Sequence, residues 1–148
     1  HFKPHGALNY LASCDEDLAF EIVKFLKINH PELIMLAPAL SKLAKVSEIE
    51  GIPTALEVYA DRTYEDDATL TPRNIKGSLI TDPEKSISHI QNIIHKGSII
   101  SRSGLLLPTK IHSICLHSDT PNSVEISKQI CILLNSMSIS QSKLIDLI

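Results

Sequence analysis

Leu33-Ile-Met-Leu-Ala37, closed by Pro38, and Thr54-Ala-Leu-Glu-Val-Tyr-Ala60 are two short runs that flank Ser41-Lys-Leu-Ala-Lys-Val-Ser-Glu-Ile-Glu50. The first run carries no polar residue, as a strand buried on both faces requires, and the second is rich in β-formers. The segment between them reads as a helix stopped by Gly51 and Pro53. A strand, a helix and a strand of these lengths form a βαβ unit with a right-handed crossover, so the sequence predicts an α/β fold with a mainly parallel sheet. Upstream, Leu18, Ile22, Phe25 and Leu26 fall at i, i+4, i+7 and i+8, which predicts a helix over Asp15 to Ile28 that ends before Pro31. Downstream, Asp82 as cap and Pro83 in the first turn open a helix with Ile87, Ile90 and Ile94 on one face, and Gly97 ends it. Ser98 to Leu107 reads as a β excursion and Ile111 to Leu116 as a further strand. Ile126, Ile130, Leu133, Leu134 and Met137 form the apolar face of a closing helix.

The chain has 148 residues, of which 43% are hydrophobic and 21% charged, enough for one domain with a core. No repeat or linker divides it, and 1–148 is expected to be a single domain. Fourteen basic against 17 acidic residues leave a net charge of −3, which argues against nucleic acid or an anionic membrane as partner. Cys14, Cys115 and Cys131 form no CxxC pair and leave an odd thiol, which points to a reducing compartment, the cytoplasm. No run of about 18 apolar residues suits a membrane span, and His1 to Tyr10 lacks the layout of a signal peptide. The start, His-Phe-Lys-Pro-His-Gly without an initiator methionine, is what a fragment would show.

In a parallel α/β sheet the loops after the strands build the site. Lys3-Pro-His-Gly-Ala-Leu-Asn9 packs a cation, an imidazole and a turn glycine together, and it equally suits a plain loop shaped by Pro4 and Gly6 with His5 as a cap. Glu57, Tyr59 and Asp61 point to one side of an extended chain. A carboxylate inside a buried strand needs a cation, and Lys3, Arg62 or Arg73 could supply it. Asp61 to Gly77 is a long polar loop. The ion pair of Glu57 could simply hold this loop, or Asp61 beside Arg62 reads as a general base next to a bidentate clamp for a carboxylate or phosphate. His117-Ser-Asp-Thr-Pro121 closes a strand ahead of the last helix. Asp119 or Thr120 could cap that helix, or His117 and Asp119 could form an orienting pair for acid-base chemistry or metal ligation. There is no HExxH, CxxC pair, GxxxxGK[ST] or GxGxxG, so metal binding is left undetermined and no nucleotide cradle is recognised. His30, His89, His95 and His112 read as structural.

Four segments taken together, Lys3-Pro-His-Gly-Ala-Leu-Asn, Glu57-Val-Tyr-Ala-Asp-Arg-Thr-Tyr64, Leu70-Thr-Pro-Arg73 with Gly77-Ser-Leu-Ile, and Ile114-Cys-Leu-His-Ser-Asp-Thr-Pro121, resemble the LamB/YcsF family. The resemblance runs through the whole chain but matches only the C-terminal part of the family pattern. The Asp-Asn-Asp-Gly-Glu-like and His-Ala-Gly-Asp-like motifs that begin family members do not occur. The resemblance implies a (β/α) barrel of the glycoside hydrolase/deacetylase type, incomplete in this chain. It also implies the A subunit of an ATP-dependent 5-oxoprolinase, which works with subunits B and C to open the lactam ring of 5-oxo-L-proline to L-glutamate, with ATP bound through the complex. Carried over position by position, Lys3, His5, Glu57, Asp61, Arg62, Tyr64, Arg73, His117 and Asp119 face the pocket. In that reading His117 with Asp119, or Asp61, is the base for water. Arg62, Arg73 and Lys3 hold the substrate carboxylate or the phosphoryl group, with His5, Glu57 and Tyr64 as further substrate-binding positions.

The chain departs from the family in reading Asn9-Tyr10 where the order is usually reversed, and in carrying Ala68 and Ser118 where glycine is expected. Each of the latter places an ordinary residue where a positive φ would favour glycine. Two competing readings are a metal-dependent deacetylase-like hydrolase of a carbohydrate amide and a non-catalytic barrel remnant. A homo-oligomer is compatible with all three.

Overall fold

The computed structural model describes residues 1–148. Five helices, α1 (Gly6–Cys14), α2 (Glu16–Asn29), α3 (Lys42–Ile49), α4 (Pro83–Lys96) and α5 (Ser123–Ser136), alternate with strands β1 (Met35–Pro38), β2 (Thr54–Tyr59), β3 (Ser98–Ile100), β4 (Leu106–Pro108) and β5 (Ser113–Cys115). The expected α/β class is what the chain adopts. Its main sheet has the order β1-β2-β5, and β3 and β4 form a separate two-stranded ribbon. The chain packs as two compact units. One comprises residues 1–57, 111–113 and 143–148, and the other residues 58–110 and 114–142.

In the first unit β1 and β2 are parallel, from Met35 opposite Thr54 to Pro38 opposite Glu57. Every residue of both strands is buried, which explains the continuous apolar run that marked β1. Ser41 caps α3 by accepting the Ala44 N–H at 3.1 Å, and Asp15 caps α2 through the Leu18 N–H at 3.0 Å. The predicted period of α2 is correct but its phase is not. Ala19, Val23 and Leu26 are buried, whereas Phe25, expected on the core face, is exposed. Small residues at the contact let the helices approach, and the larger side chains turn outward. Helix α1 replaces the loop expected around Ala7 to Asn9. Phe2 extends the sheet beyond β1 through a parallel bridge to Met35. His112 uses both backbone and ring on β2: its N–H donates to the Leu56 carbonyl at 2.9 Å, and Nδ1 accepts the Leu56 N–H at 3.0 Å.

In the second unit α4 and α5 pack together; α4 buries Ser86, Ile90 and Ile93, and α5 buries Ile126, Ile130, Leu133 and Leu134. The capping of α4 is as predicted: Asp82 accepts the Lys85 N–H, and Gly97 closes the helix at φ 55. The expected β excursion is the antiparallel β3-β4 ribbon. The loop after β2 runs without regular structure to Asp82 and is organised by two antiparallel bridges, Arg62 with Leu79 and Tyr64 with Leu70. Ala68, in this loop, has φ 67, so the position where glycine was expected is indeed left-handed; Ser118 is not.

Candidate functional site

Asp61 follows β2 directly and is completely buried. A buried carboxylate is tolerable only when surrounded by donors, and Asp61 has three. Its Oδ2 accepts the His117 backbone N–H at 3.2 Å, His117 Nδ1 at 2.9 Å and the Thr120 hydroxyl at 2.5 Å. Oδ1 lies 3.1 Å from the same ring nitrogen. The carboxylate therefore selects the tautomer that carries its proton on Nδ1 and leaves Nε2 as a base on a ring about one third exposed. Behind the imidazole lies the ring of Tyr59, stacked at 5.7 Å between centroids and 18° between planes. Tyr59 ends β2, Asp61 lies in the bend that follows, and both reach one imidazole.

Asp119 is not the orienting partner. Its carboxylate is exposed and meets Arg73 at 3.5 Å, while Asp61, 56 residues upstream of His117, takes the imidazole. Nor do Asp119 and Thr120 cap α5. The cap position is Asn122 in a left-handed conformation with no side-chain bond, and the Thr120 hydroxyl is spent on Asp61.

Arg62 and Tyr64 are placed inside the unit. Arg62 is 7% exposed, donates through Nη2 to the Thr71 carbonyl at 2.6 Å and has a buried Nε without a partner. Burial, reinforced by Arg73, holds its pKa below the usual guanidinium value. Its contacts make it a pin for the loop. The Tyr64 hydroxyl accepts the Tyr59 N–H at 2.7 Å. Arg73 lies half exposed beside Asp119.

In the other unit, Glu57 is buried in β2 and its carboxylate meets Lys3 at 2.6 Å, one of the cations the sequence offered. His5 is exposed at the start of α1 and makes no capping bond. No three His, Cys, Asp or Glu side chains converge in the way a metal ion would need. No helix is long and apolar enough to cross a membrane.

The residue that sequence reasoning passed over is Tyr59, noted only for its side of the strand. A second is His89 on α4, read as structural, whose ring stacks on Tyr64 at 6.1 Å and 26°. No local pattern flags either, because both act through contacts formed only on folding.

The profile of the LamB/YcsF family matches residues 1–147. The chain is 42% identical over 130 residues to the A subunit of a 5-oxoprolinase from Azoarcus sp. (strain BH72), covering 88% of this chain and 51% of that protein. It is 38% identical, again over 130 residues and with the same coverage, to the protein of that name from Natranaerobius thermophilus. It thus spans about half the length of the curated relatives it matches. Among solved structures it resembles the crystal structure of a lactam utilization protein from Thermus thermophilus. The TM-score is 0.81 at 26% identity, over 95% of this chain and 56% of that one. The α/β fold read from the sequence is the fold this structure shares.

Proposed function

This chain belongs to the LamB/YcsF family, and from that premise we propose that it carries the hydrolytic base of an ATP-dependent 5-oxoprolinase. The reaction opens the lactam ring of 5-oxo-L-proline to L-glutamate in the cytoplasm, with subunits B and C as partners. The observation that carries the reading is the buried Asp61 that holds Nδ1 of His117, a side chain about one third exposed.

An amide carbonyl resists water, so ring opening needs an activated carbonyl and a delivered hydroxide. ATP, bound on the partner subunits, supplies the activation. The glycines of this chain stand singly at 6, 51, 77, 97 and 104 and build no phosphate loop. His117 Nε2 takes a proton from the water that adds to the carbonyl carbon. With the carbonyl oxygen phosphorylated by ATP, the ring C–N bond then breaks, the nitrogen leaves as an amine with the proton held by the His117 imidazolium, and the acyl phosphate so formed is hydrolysed by a second water to glutamate and phosphate. Asp61, bonded to Nδ1, stabilises the imidazolium. Arg73, half exposed and paired with Asp119 two residues past His117, is the candidate clamp for the substrate carboxylate. Arg62 and Tyr64 hold the loop that presents it. Lys3, His5 and Glu57 keep their assignment to substrate binding from the family pattern.

The test combines the chain with subunits B and C, ATP and 5-oxo-L-proline and follows glutamate and ADP, with a full-length relative as positive control. Glutamate formation that falls about 100-fold or more in His117→Asn supports the reading. No glutamate from the wild-type chain beside an active control, or an unchanged rate in His117→Asn, overturns it.

A further inference from the structure

The hydrogen bonds that Asp61 accepts decide where Nδ1 of His117 points, but not the tilt of the ring about that contact. The direction of the reactive Nε2 depends on the ring plane, and the plane is set by the phenol of Tyr59 stacked on it. What holds Tyr59 therefore bears on where Nε2 aims.

Tyr59 lies at the end of β2, two residues past the last paired position of β1, Pro38 opposite Glu57. In a strand the N–H and C=O of one residue point to the same edge. Buried ladder groups at that edge need partners, and here side chains supply them. The Tyr59 N–H donates to the Tyr64 hydroxyl at 2.7 Å, and the Tyr59 carbonyl accepts from the His89 ring. Tyr64 and His89 also stack on each other, so the two side chains brace one another while gripping one peptide unit. Tyr64 is essentially fully buried, and His89 Nε2 is a buried atom without a partner of its own. Burial holds the His89 ring below its ordinary pKa, favouring the neutral form, which can still donate one hydrogen bond to a carbonyl.

We propose that Tyr64 and His89 are positioning residues for His117, standing in for a missing strand at Tyr59 and so fixing the phenol that sets the plane of the imidazole. The proposal rests on the reading of His117 as the proton acceptor, and neither residue touches substrate. Tyr64, matched by the family pattern to the pocket, and His89 thereby share one role. Because both act through Tyr59, loss of one is expected to undo most of what the other contributes.

The test uses the full 148-residue chain, labelled with ¹⁵N, and reads the ring nitrogens of His117 by NMR in Tyr64→Phe, His89→Leu and His89→Gln. The first removes the acceptor of the Tyr59 N–H, the second removes the donor to its carbonyl, and the third keeps a donor of similar reach. Tyr64→Phe and His89→Leu are expected to move the His117 ring signals, whose positions carry the ring current of the stacked Tyr59, and His89→Gln to restore them. In the reconstituted assay His89→Leu should lower kcat about tenfold at unchanged KM, with His89→Gln near wild type. His117 signals identical to wild type in the folded variants overturn the proposal. Should His89→Leu fail to fold, Tyr64→Phe, which removes a single hydroxyl, decides by the same criterion. Altered His117 signals in a chain that makes no glutamate would sustain the positioning role and sink only the activity.

Discussion

Replacing Asp61 by Asn keeps the size of the side chain and removes its charge. The carboxylate accepts three donors, from the His117 N–H, His117 Nδ1 and the Thr120 hydroxyl. A hydrogen bond to a charged acceptor contributes about 1.5–3 kcal/mol and a neutral one about 0.5–1.5, so neutralising the acceptor weakens each by about 1 kcal/mol. Relief from burying a charge offsets part of that total, leaving an expected loss of about 1–2 kcal/mol. For a chain of this length that corresponds to a melting point lower by about 2–8 °C. The amide also presents an NH₂ group to the imidazole and blurs the choice of tautomer, so activity should fall by about 10³–10⁴ even where folding is intact. The measurement is a pair, thermal unfolding at neutral pH and ¹⁵N signals of the His117 ring. An Asp61→Asn chain that melts with wild type and keeps Nδ1 protonated would contradict this account, since the carboxylate would then be dispensable to its donors.

Ala68→Gly should stabilise the chain by about 0.5–1 kcal/mol in urea unfolding. Its φ of 67 costs an alanine about 1–2 kcal/mol, and the added freedom of glycine in the unfolded chain returns only part of that; a less stable variant contradicts it. Lys3→Met leaves the Glu57 carboxylate buried without its cation and should cost about 3–5 kcal/mol. Adding Glu57→Gln should recover much of the loss, and additive losses would show that the 2.6 Å pair is not the reason. His89, held below its ordinary 6.5 by burial, gives stability that is present above that value and lost as pH falls toward the depressed folded one. The urea midpoint should thus drop between about pH 7.5 and 5.5, and drop less in His89→Gln; parallel curves would rule out the assignment.

The elements of this protein follow from short-range physics. The run without polar residues became a buried parallel strand, and Asp15, Ser41 and Asp82 capped helices at the predicted starts. Glu57 found a cation, as expected, because desolvation of a carboxylate does not depend on the details of the fold. Tyr59 and Asp61 both meet His117, although Asp61 lies in the bend beyond the strand. Helix α1 was missed because its apolar positions are mostly exposed and leave no clear stripe; only Ala12 is buried.

Other features were settled by packing alone. Spacing gives the period of α2 but not its phase, which close approach to neighbouring helices set in favour of Ala19 and Val23 over Phe25. Spacing also offered Asp119 to His117, two residues away, yet a carboxylate that can be solvated stays with Arg73 at the surface. The imidazole pairs with the carboxylate that burial has cut off from water, 56 residues upstream. Periodicity, capping and the desolvation of single groups are properties of neighbouring residues and can be read in order along the chain. Partners far apart in sequence are chosen by which groups the folded interior strips of water, and that exists only once the β2 loop and the turn at His117 have come together.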